Sequence, residues 1–233
     1  MKLLFSALFL SFLSFTYAQE NIVYQKPSAE ILALADFQRP PAVAISPDQQ
    51  WIVTSYRSAY KSLDEPNQAE LRLAGLRINP KTNISSTVTY FNNLKVKAFG
   101  ASQEQAIKGL PADAKITSLE FSPDSKFLAF THTAAQGVEL WIVELATGQA
   151  RALTEGVLNA NLDAGYMWFG GSEQLLINKL PSNRQPLKDS AKDLPQGPTV
   201  STSEGKVSQL RTYQDLLKNP LDEANFESLI QSE

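Results

Sequence analysis

The chain has 233 residues, 43% of them hydrophobic and 19% charged, with a formal net charge of −3. That composition is globular and excludes an intrinsically disordered chain; it carries neither the basic surplus of a nucleic-acid binder nor an acidic tail. Cysteine is absent and histidine occurs once, at His132, which removes disulfides and thiolate chemistry and leaves little for a histidine-based metal or acid–base centre.

Met1–Ala18 reads as a secretory signal peptide. Lys2 gives a positive start, Leu3–Phe15 is an apolar run, and Ala18 is a small residue at the cleavage point before Gln19. The run is shorter than the ~20 apolar residues of a spanning helix, and no cysteine follows for a lipid anchor. Residues 19–233 are therefore expected to be exported, to a bacterial periplasm or the extracellular space, with no membrane span after cleavage. Ser28–Ala35 predicts a short helix capped by Ser28, stopped before Pro40-Pro41.

Strands are predicted at Ala42–Ile45 and Trp51–Tyr56, joined by Ser46-Pro47-Asp48. Proline presets φ in such a turn, and the Ser and Asp side chains bond the local backbone. Ala69–Ile78 alternates apolar and polar residues, which predicts one half-buried strand with a bulge at Gly75. Asn79–Asn83 is a turn, Ser86–Phe91 the returning strand, and Leu94–Phe99 a further strand.

The clearest unit follows. Ile116–Phe121, Phe127–Thr131, Leu140–Leu145 and Ala150–Leu153 are four strand-length runs. Ser122-Pro123-Asp124 and Ala146-Thr147-Gly148 punctuate them, the glycine supplying φ > 0. Four short antiparallel strands in about 40 residues make the unit of a β-propeller blade. The Ser-Pro-Asp turn before Phe127 repeats the one before Trp51, at a distance longer than one plain blade. The excess is assigned to Arg57–Gln68 and Gly100–Pro111. A third copy starts at Trp168-Phe169-Gly170-Gly171 and runs to Ile177. The expected fold is all-β: a partial β-propeller of about three four-stranded blades. The competing reading is an all-β sandwich with chance Ser-Pro-Asp turns.

Lys179–Gly205 holds four prolines and predicts a long surface loop. Thr212–Lys218 reads as helical and is broken by Asn219-Pro220. Leu221–Ser232 predicts a second helix with Leu221, Ala224, Leu229 and Ile230 on one side, and acidic residues in its first turn that suit the helix dipole. No cap signal precedes Glu233, so the chain is expected to be interrupted there.

No Gly-x-Ser-x-Gly elbow occurs. Gly170-Gly171-Ser172 is nearest to one and reads as a blade turn. His132 reads as a hydrogen-bonded strand-end residue. Asp64-Glu65 and Asp222-Glu223 are adjacent in sequence, point apart, and read as solvated surface. Trp51, Trp141 and Trp168 are expected at equivalent strand positions in the core. Asn83-Ile84-Ser85 matches a glycosylation sequon. No phosphate-cradling glycine loop is present. The residues support no catalytic, cofactor-binding or metal site, and no cofactor.

Several strings carry a family resemblance. Pro40-Pro41 with Ile45-Ser46-Pro47-Asp48, then Glu70-Leu71-Arg72-Leu73-Ala74-Gly75-Leu76-Arg77-Ile78-Asn79-Pro80, resemble the start of glutamyl endopeptidases, a branch of the prolyl oligopeptidase family of serine peptidases. Gly109-Leu110-Pro111, Glu139-Leu140-Trp141-Ile142-Val143, Leu194-Pro195-Gln196-Gly197-Pro198 and Thr212-Tyr213-Gln214-Asp215-Leu216-Leu217-Lys218-Asn219-Pro220 continue it in order. The resemblance implies an N-terminal propeller, usually of seven blades, that restricts peptide access to a C-terminal α/β-hydrolase domain carrying a Ser-Asp-His triad. On that reading the sequence covers a signal peptide (1–18) and the N-terminal part of a propeller (19–233). The partners are then a peptide substrate and the hydrolase domain, in the same or a separate chain, and no catalytic residue carries over. The alternatives are a non-enzymatic periplasmic propeller-type binding module and an inactive truncated product. With its propeller unclosed, the chain is expected to leave apolar sheet faces uncovered.

Overall fold

A computed structural model describes residues 26–189, 205 and 214–233. The signal peptide, Leu194–Pro198 and Thr212-Tyr213 lie outside the described residues. The chain divides after Phe37. The unit before that point holds helix α1 (Ala29–Ala35), and Ser28 precedes it without making a side-chain capping bond, contrary to the expected cap.

Among its described residues, the unit from Gln38 onward is all-β apart from one helix. Its first sheet has the order β1 (Ala42–Ile45), β2 (Trp51–Tyr56), β6 (Asn93–Ala98), β7 (Gln105–Ala106), all antiparallel. The central sheet is a plain antiparallel meander of β8 (Ile116–Phe121), β9 (Phe127–Ala134), β10 (Gly137–Glu144) and β11 (Gln149–Ala152). A third sheet pairs β12 (Tyr166–Phe169) with β13 (Gln174–Ile177). These are blade-type sheets of a partial β-propeller. Two have four strands, and the third has two among the described residues.

Between β2 and β6 the chain leaves the first sheet and builds a separate three-stranded sheet, β3 (Leu71–Leu73), β4 (Leu76–Asn79) and β5 (Ile84–Ser85). Here the sequence expectation of a single strand fails. Leu71 pairs with Ile78 and Leu73 with Leu76, so Ala74-Gly75 is a two-residue hairpin turn, not a bulge. Both residues have positive φ, 52° and 80°, the geometry of a type I′ turn. Alternation looks the same along one strand and along a tight hairpin, which is why the pattern misled. The returning strand is Ile84–Ser85 and not Ser86–Phe91; Phe91 instead exchanges two backbone bonds with Ile116, each 2.8 Å. The inserted sheet adds to the loops in accounting for the long spacing between the two Ser-Pro-Asp turns.

Period-2 burial explains the stacking. Leu128, Phe130, Val143 and Leu145 of the central sheet pack against Val53, Leu94 and Val96 of the first. Ala129, Val138 and Leu140 face the other way, onto Leu158, Ala160 and Tyr166. The central sheet is therefore apolar on both faces. The inserted sheet buries Leu73 and Ile78 against Leu229 of helix α2 (Pro220–Ile230), with Phe226, Leu187 and Leu217 at the margin.

The two Ser-Pro-Asp turns have one construction. Ser46 Oγ donates to Asp48 Oδ1 (2.6 Å) and accepts from Trp51 N (2.9 Å); Ser122 Oγ donates to Asp124 Oδ1 (2.7 Å) and accepts from Phe127 N (2.9 Å). The serine hydroxyl and, in each turn, a backbone amide hold both carboxyls below the usual carboxylate range. Each turn also reaches the next sheet. Asp48 N donates to Ser125 Oγ (3.2 Å), and Asp124 N to Ser172 Oγ (2.8 Å).

Helix α2 is capped by Asn219, whose Oδ1 accepts from Asp222 N at 2.8 Å. Its buried residues are Asn225 and Leu229, so the inward face is centred about a residue away from the expected one. Asn225 is polar and escapes an apolar count; it is satisfied by both backbone groups of Lys188. Of the expected Thr212–Lys218 helix, residues 214–218 are non-helical, with Asp215 at φ 59°. Its carbonyl accepts from Gly75 N (3.1 Å), a tertiary bond that overrides local propensity. The uncovered apolar faces are present: Val43 and Ile45 are exposed on β1, and Met167, Phe169 and Leu176 on the third sheet.

β8 is interrupted between Thr117 and Glu120, with Ser118 at φ 51°. The Tyr166 hydroxyl donates into this bulge, to Ser118 O and, at 3.1 Å, Ala129 O. Tyr166→Phe removes the one O–H shared between the buried Ala129 carbonyl and the part-buried Ser118 carbonyl and is expected to cost roughly 1–3 kcal/mol. Urea unfolding should show a lower midpoint at unchanged slope; an unshifted midpoint would mean that the hydroxyl contributes nothing to holding the third sheet.

Candidate functional site

β2 starts, and β8 ends, at the Ser-Pro-Asp turns. The opposite end of these sheets, where β2 and β9 end and β8 begins, carries polar side chains that converge from many segments. A cleft of about 580 Å³ opens there between residues 57–65, Thr89–Asn92 and Ala112–Lys115, with Arg39, Arg57, Lys61 and Lys115 on its walls. A smaller pocket of about 310 Å³ adjoins it, sharing Tyr90 and Lys115 and adding Lys81, Thr82 and Thr133.

Each element holds its part for a local reason. Asn79 is the first residue of the turn into β5; its Oδ1 accepts from Lys81 N (3.0 Å) and Thr82 N (3.3 Å), an Asx turn that sets Lys81 and Thr82 on the rim. Its amide group is spent on Gln68 Oε1. Lys115 is fixed against the end of β9 from two sides. Its carbonyl accepts from Thr133 N (3.0 Å), and its N–H donates to His132 Nδ1 (3.1 Å).

His132 is thereby explained. It sits inside β9 opposite Glu139 and Ile116, not at a strand end, and its ring meets Trp141 edge-on at 6.2 Å. An accepting Nδ1 requires the neutral ring, and burial lowers its pKa. It positions the Lys115 backbone.

The charges do not cancel. Lys61 pairs with Glu65 at 3.6 Å, while Arg39, Arg57 and Lys115 make no ion pair among the described residues. Asp113 is the other acid on the cleft wall. Arg39 Nε is buried without a partner. Among the described residues, none that lines the smaller pocket is acidic. Thr82 and Thr133 are 6% and 7% exposed, and neither hydroxyl has a hydrogen-bond partner. Thr133 faces the Tyr90 phenol without forming a well-shaped bond. Burial pushes the Tyr90 phenol up, so it remains a protonated donor. The arrangement is one of donors and fixed positive charge, suited to binding.

The other sequence candidates fall elsewhere. Gly170-Gly171-Ser172 is a blade turn, with both glycines at positive φ and Ser172 Oγ occupied by Asp124 N. Glu65 accepts from Ser62 N beside its lysine. Asp222 belongs to the cap of α2, where its Oδ2 accepts from Lys218 N at 2.9 Å. Asn83 of the sequon is 5% exposed, and its Oδ1 accepts from the Arg184 guanidinium. Trp51, Trp141 and Trp168 are half-buried core residues, but on the second, third and first strands of their sheets, not at equivalent positions. Arg39, Tyr90, Thr82, Lys115 and Thr133 went unnoticed because they lie far apart in sequence and converge only in the fold. The one local signal was Thr131-His132-Thr133, a polar run in a strand otherwise apolar.

Comparison with known proteins places these features beside two long relatives. Over 218 residues, 88% of this chain, it is 32% identical to a protein of Arabidopsis thaliana described as "Probable glutamyl endopeptidase, chloroplastic", of which it covers 22%. A protein of Oryza sativa subsp. japonica with the same description is 30% identical over 220 residues and 23% covered. The sequence likeness is to peptidase-related proteins. The chain spans about a fifth of the length of these curated relatives. No family model matches. A solved structure provisionally named TolB, from Agrobacterium tumefaciens, superposes with a TM-score of 0.32 at 15% identity, over 66% of this chain and 49% of that one. Among the described residues no helix is long and apolar enough to cross a membrane.

The burial of His132 makes stability pH-dependent. Its folded pKa lies below the ordinary 6.5, so the unfolded chain takes up the proton first. The contribution is complete above about 6.5 and is lost as pH falls through the folded value. Melting temperature should drop between pH 7 and 5, and His132→Gln should flatten that slope; an equal slope in the variant would remove His132 from the account.

Proposed function

We propose that this chain is the N-terminal propeller portion of an exported serine peptidase of the prolyl oligopeptidase family, of the glutamyl endopeptidase kind. In that role it gates the access of peptides to a catalytic α/β-hydrolase domain supplied by other sequence, and it contributes no member of the catalytic triad. The observation that carries this reading is the 30–32% identity to two proteins described as glutamyl endopeptidases, sustained over 88% of the chain. The blade-type sheets support it: a wall of stacked sheets with short turns at one end and long polar connections at the other suits a cover over an active site. The cationic cleft lies among those long connections. Export rests on the Met1–Ala18 leader.

The test is made on the native product from source cells. It is labelled with a fluorophosphonate, a reagent that captures activated serines, and then mapped by proteolytic peptides. The reading predicts one labelled polypeptide, or a tight complex, that contains peptides of this chain starting at Gln19 and cleaves reporters after glutamate. Recovery of this chain unlabelled, uncomplexed and without peptidase activity would contradict it and favour a non-enzymatic binding module.

A further inference from the structure

We infer that the pocket bounded by Lys81, Thr82, Lys115 and Thr133 is a binding site for a small oxyanion, carboxylate or phosphate. Four observations carry this, and none depends on the peptidase reading. First, two hydroxyls that are more than nine-tenths buried stand on its wall without a partner. Buried polar groups are paired in the great majority of cases, so two orphans in one pocket call for a ligand or ordered solvent. Second, among the described residues the lining holds two lysines and no acid. A metal cation would be repelled, and a neutral ligand would leave the charge unused.

Third, the side-chain amide oxygens of the described lining, Asn79 Oδ1 and Gln68 Oε1, are already engaged. Asn79 Oδ1 is bound by two turn amides and its Nδ2 by Gln68. The unspent groups of the described lining include the two ammoniums and the two threonine hydroxyls, the donor types that an oxyanion requires. Fourth, the approach is positive. The adjoining cleft shares Lys115 and adds Arg39 and Arg57, with Lys61 paired to Glu65 and Asp113 the other acid of its described lining, so positive charge is in excess on the approach. A volume of about 310 Å³ admits the anionic group and a few attached atoms, at the small end of ligand sites.

The experiment is titration of the full chain, followed by calorimetry and by chemical-shift changes, at constant ionic strength. The probes are glutarate, inorganic phosphate, and an acidic heptapeptide beside its Glu→Gln counterpart. Saturable binding of at least one anionic probe is expected, weakened tenfold or more by Lys115→Met. Lys81→Met, at an exposed position of the turn, should weaken it severalfold without loss of the folded spectrum, so that failure of the Lys115 variant to fold leaves the question answerable. Thr133→Val should weaken binding while leaving the charge unchanged, separating a built site from diffuse attraction. Binding of the peptide alone would assign the anion to a polypeptide side chain, and binding of glutarate or phosphate alone to a free solute. The inference is overturned if no probe saturates at millimolar concentration, if the Gln peptide binds as well as the acidic one with no free anion bound, or if the lysine variants bind unchanged. Peptidase labelling of the native product is a separate readout, so the two readings fail independently.

Discussion

The constraint on which the rest depends is the bond each Ser-Pro-Asp turn makes to the sheet that follows it. A blade-type sheet is apolar on both faces and is stable only when stacked, and side-chain packing alone leaves neighbouring sheets some freedom to slide. The amides of Asp48 and Asp124, donated to Ser125 and Ser172, tie one turn to the next at fixed height. The geometry is available because the carboxylate of the same aspartate is already held inside its own turn by a serine hydroxyl and a backbone amide. A turn that closed less tightly would not present its amide outward. Tyr166 adds a second tie further along the strands, where the bulge in β8 frees a carbonyl toward the third sheet.

With the sheets held at the turn end, the opposite end is where the chain spends its long connections. The excursion from β2 to β6 builds the inserted sheet, and the segment from β7 to β8 brings Lys115 against β9. The Phe91–Ile116 backbone pair joins first and central sheets there. The pocket of lysines and unpartnered hydroxyls is a product of that junction. No single element supplies it, and its polarity is tolerable only because it lies at the rim and not between the sheets.

The sequence carried the fold further than the site. Ser-Pro-Asp turns have a local mechanism, and β8 and β9 beside one of them begin at the expected residues, while β10 begins three residues and β11 one residue earlier than expected. Gly170-Gly171-Ser172 was correctly read as a turn for the same reason. Failures occurred where a tertiary contact decides. The β3–β4 hairpin looks like one strand because a two-residue turn preserves alternation. Residues 214–218 have helical propensity but give a carbonyl to Gly75. Asn225 is buried because Lys188 satisfies it, which no apolar pattern records. The candidate site was illegible because its residues come from five segments with no shared spacing.

The most direct measurement is amide hydrogen exchange at Asp48 and Asp124 in the native chain and in Ser125→Ala and Ser172→Ala. Coupled turns predict that both amides are protected in the native chain. Ser125→Ala should release Asp48 and leave Asp124 protected, Ser172→Ala should do the reverse, and each should speed exchange in the two sheets that its bond joins. Exchange of both amides at unstructured rates in the native chain, or unchanged protection in the variants, would contradict the account.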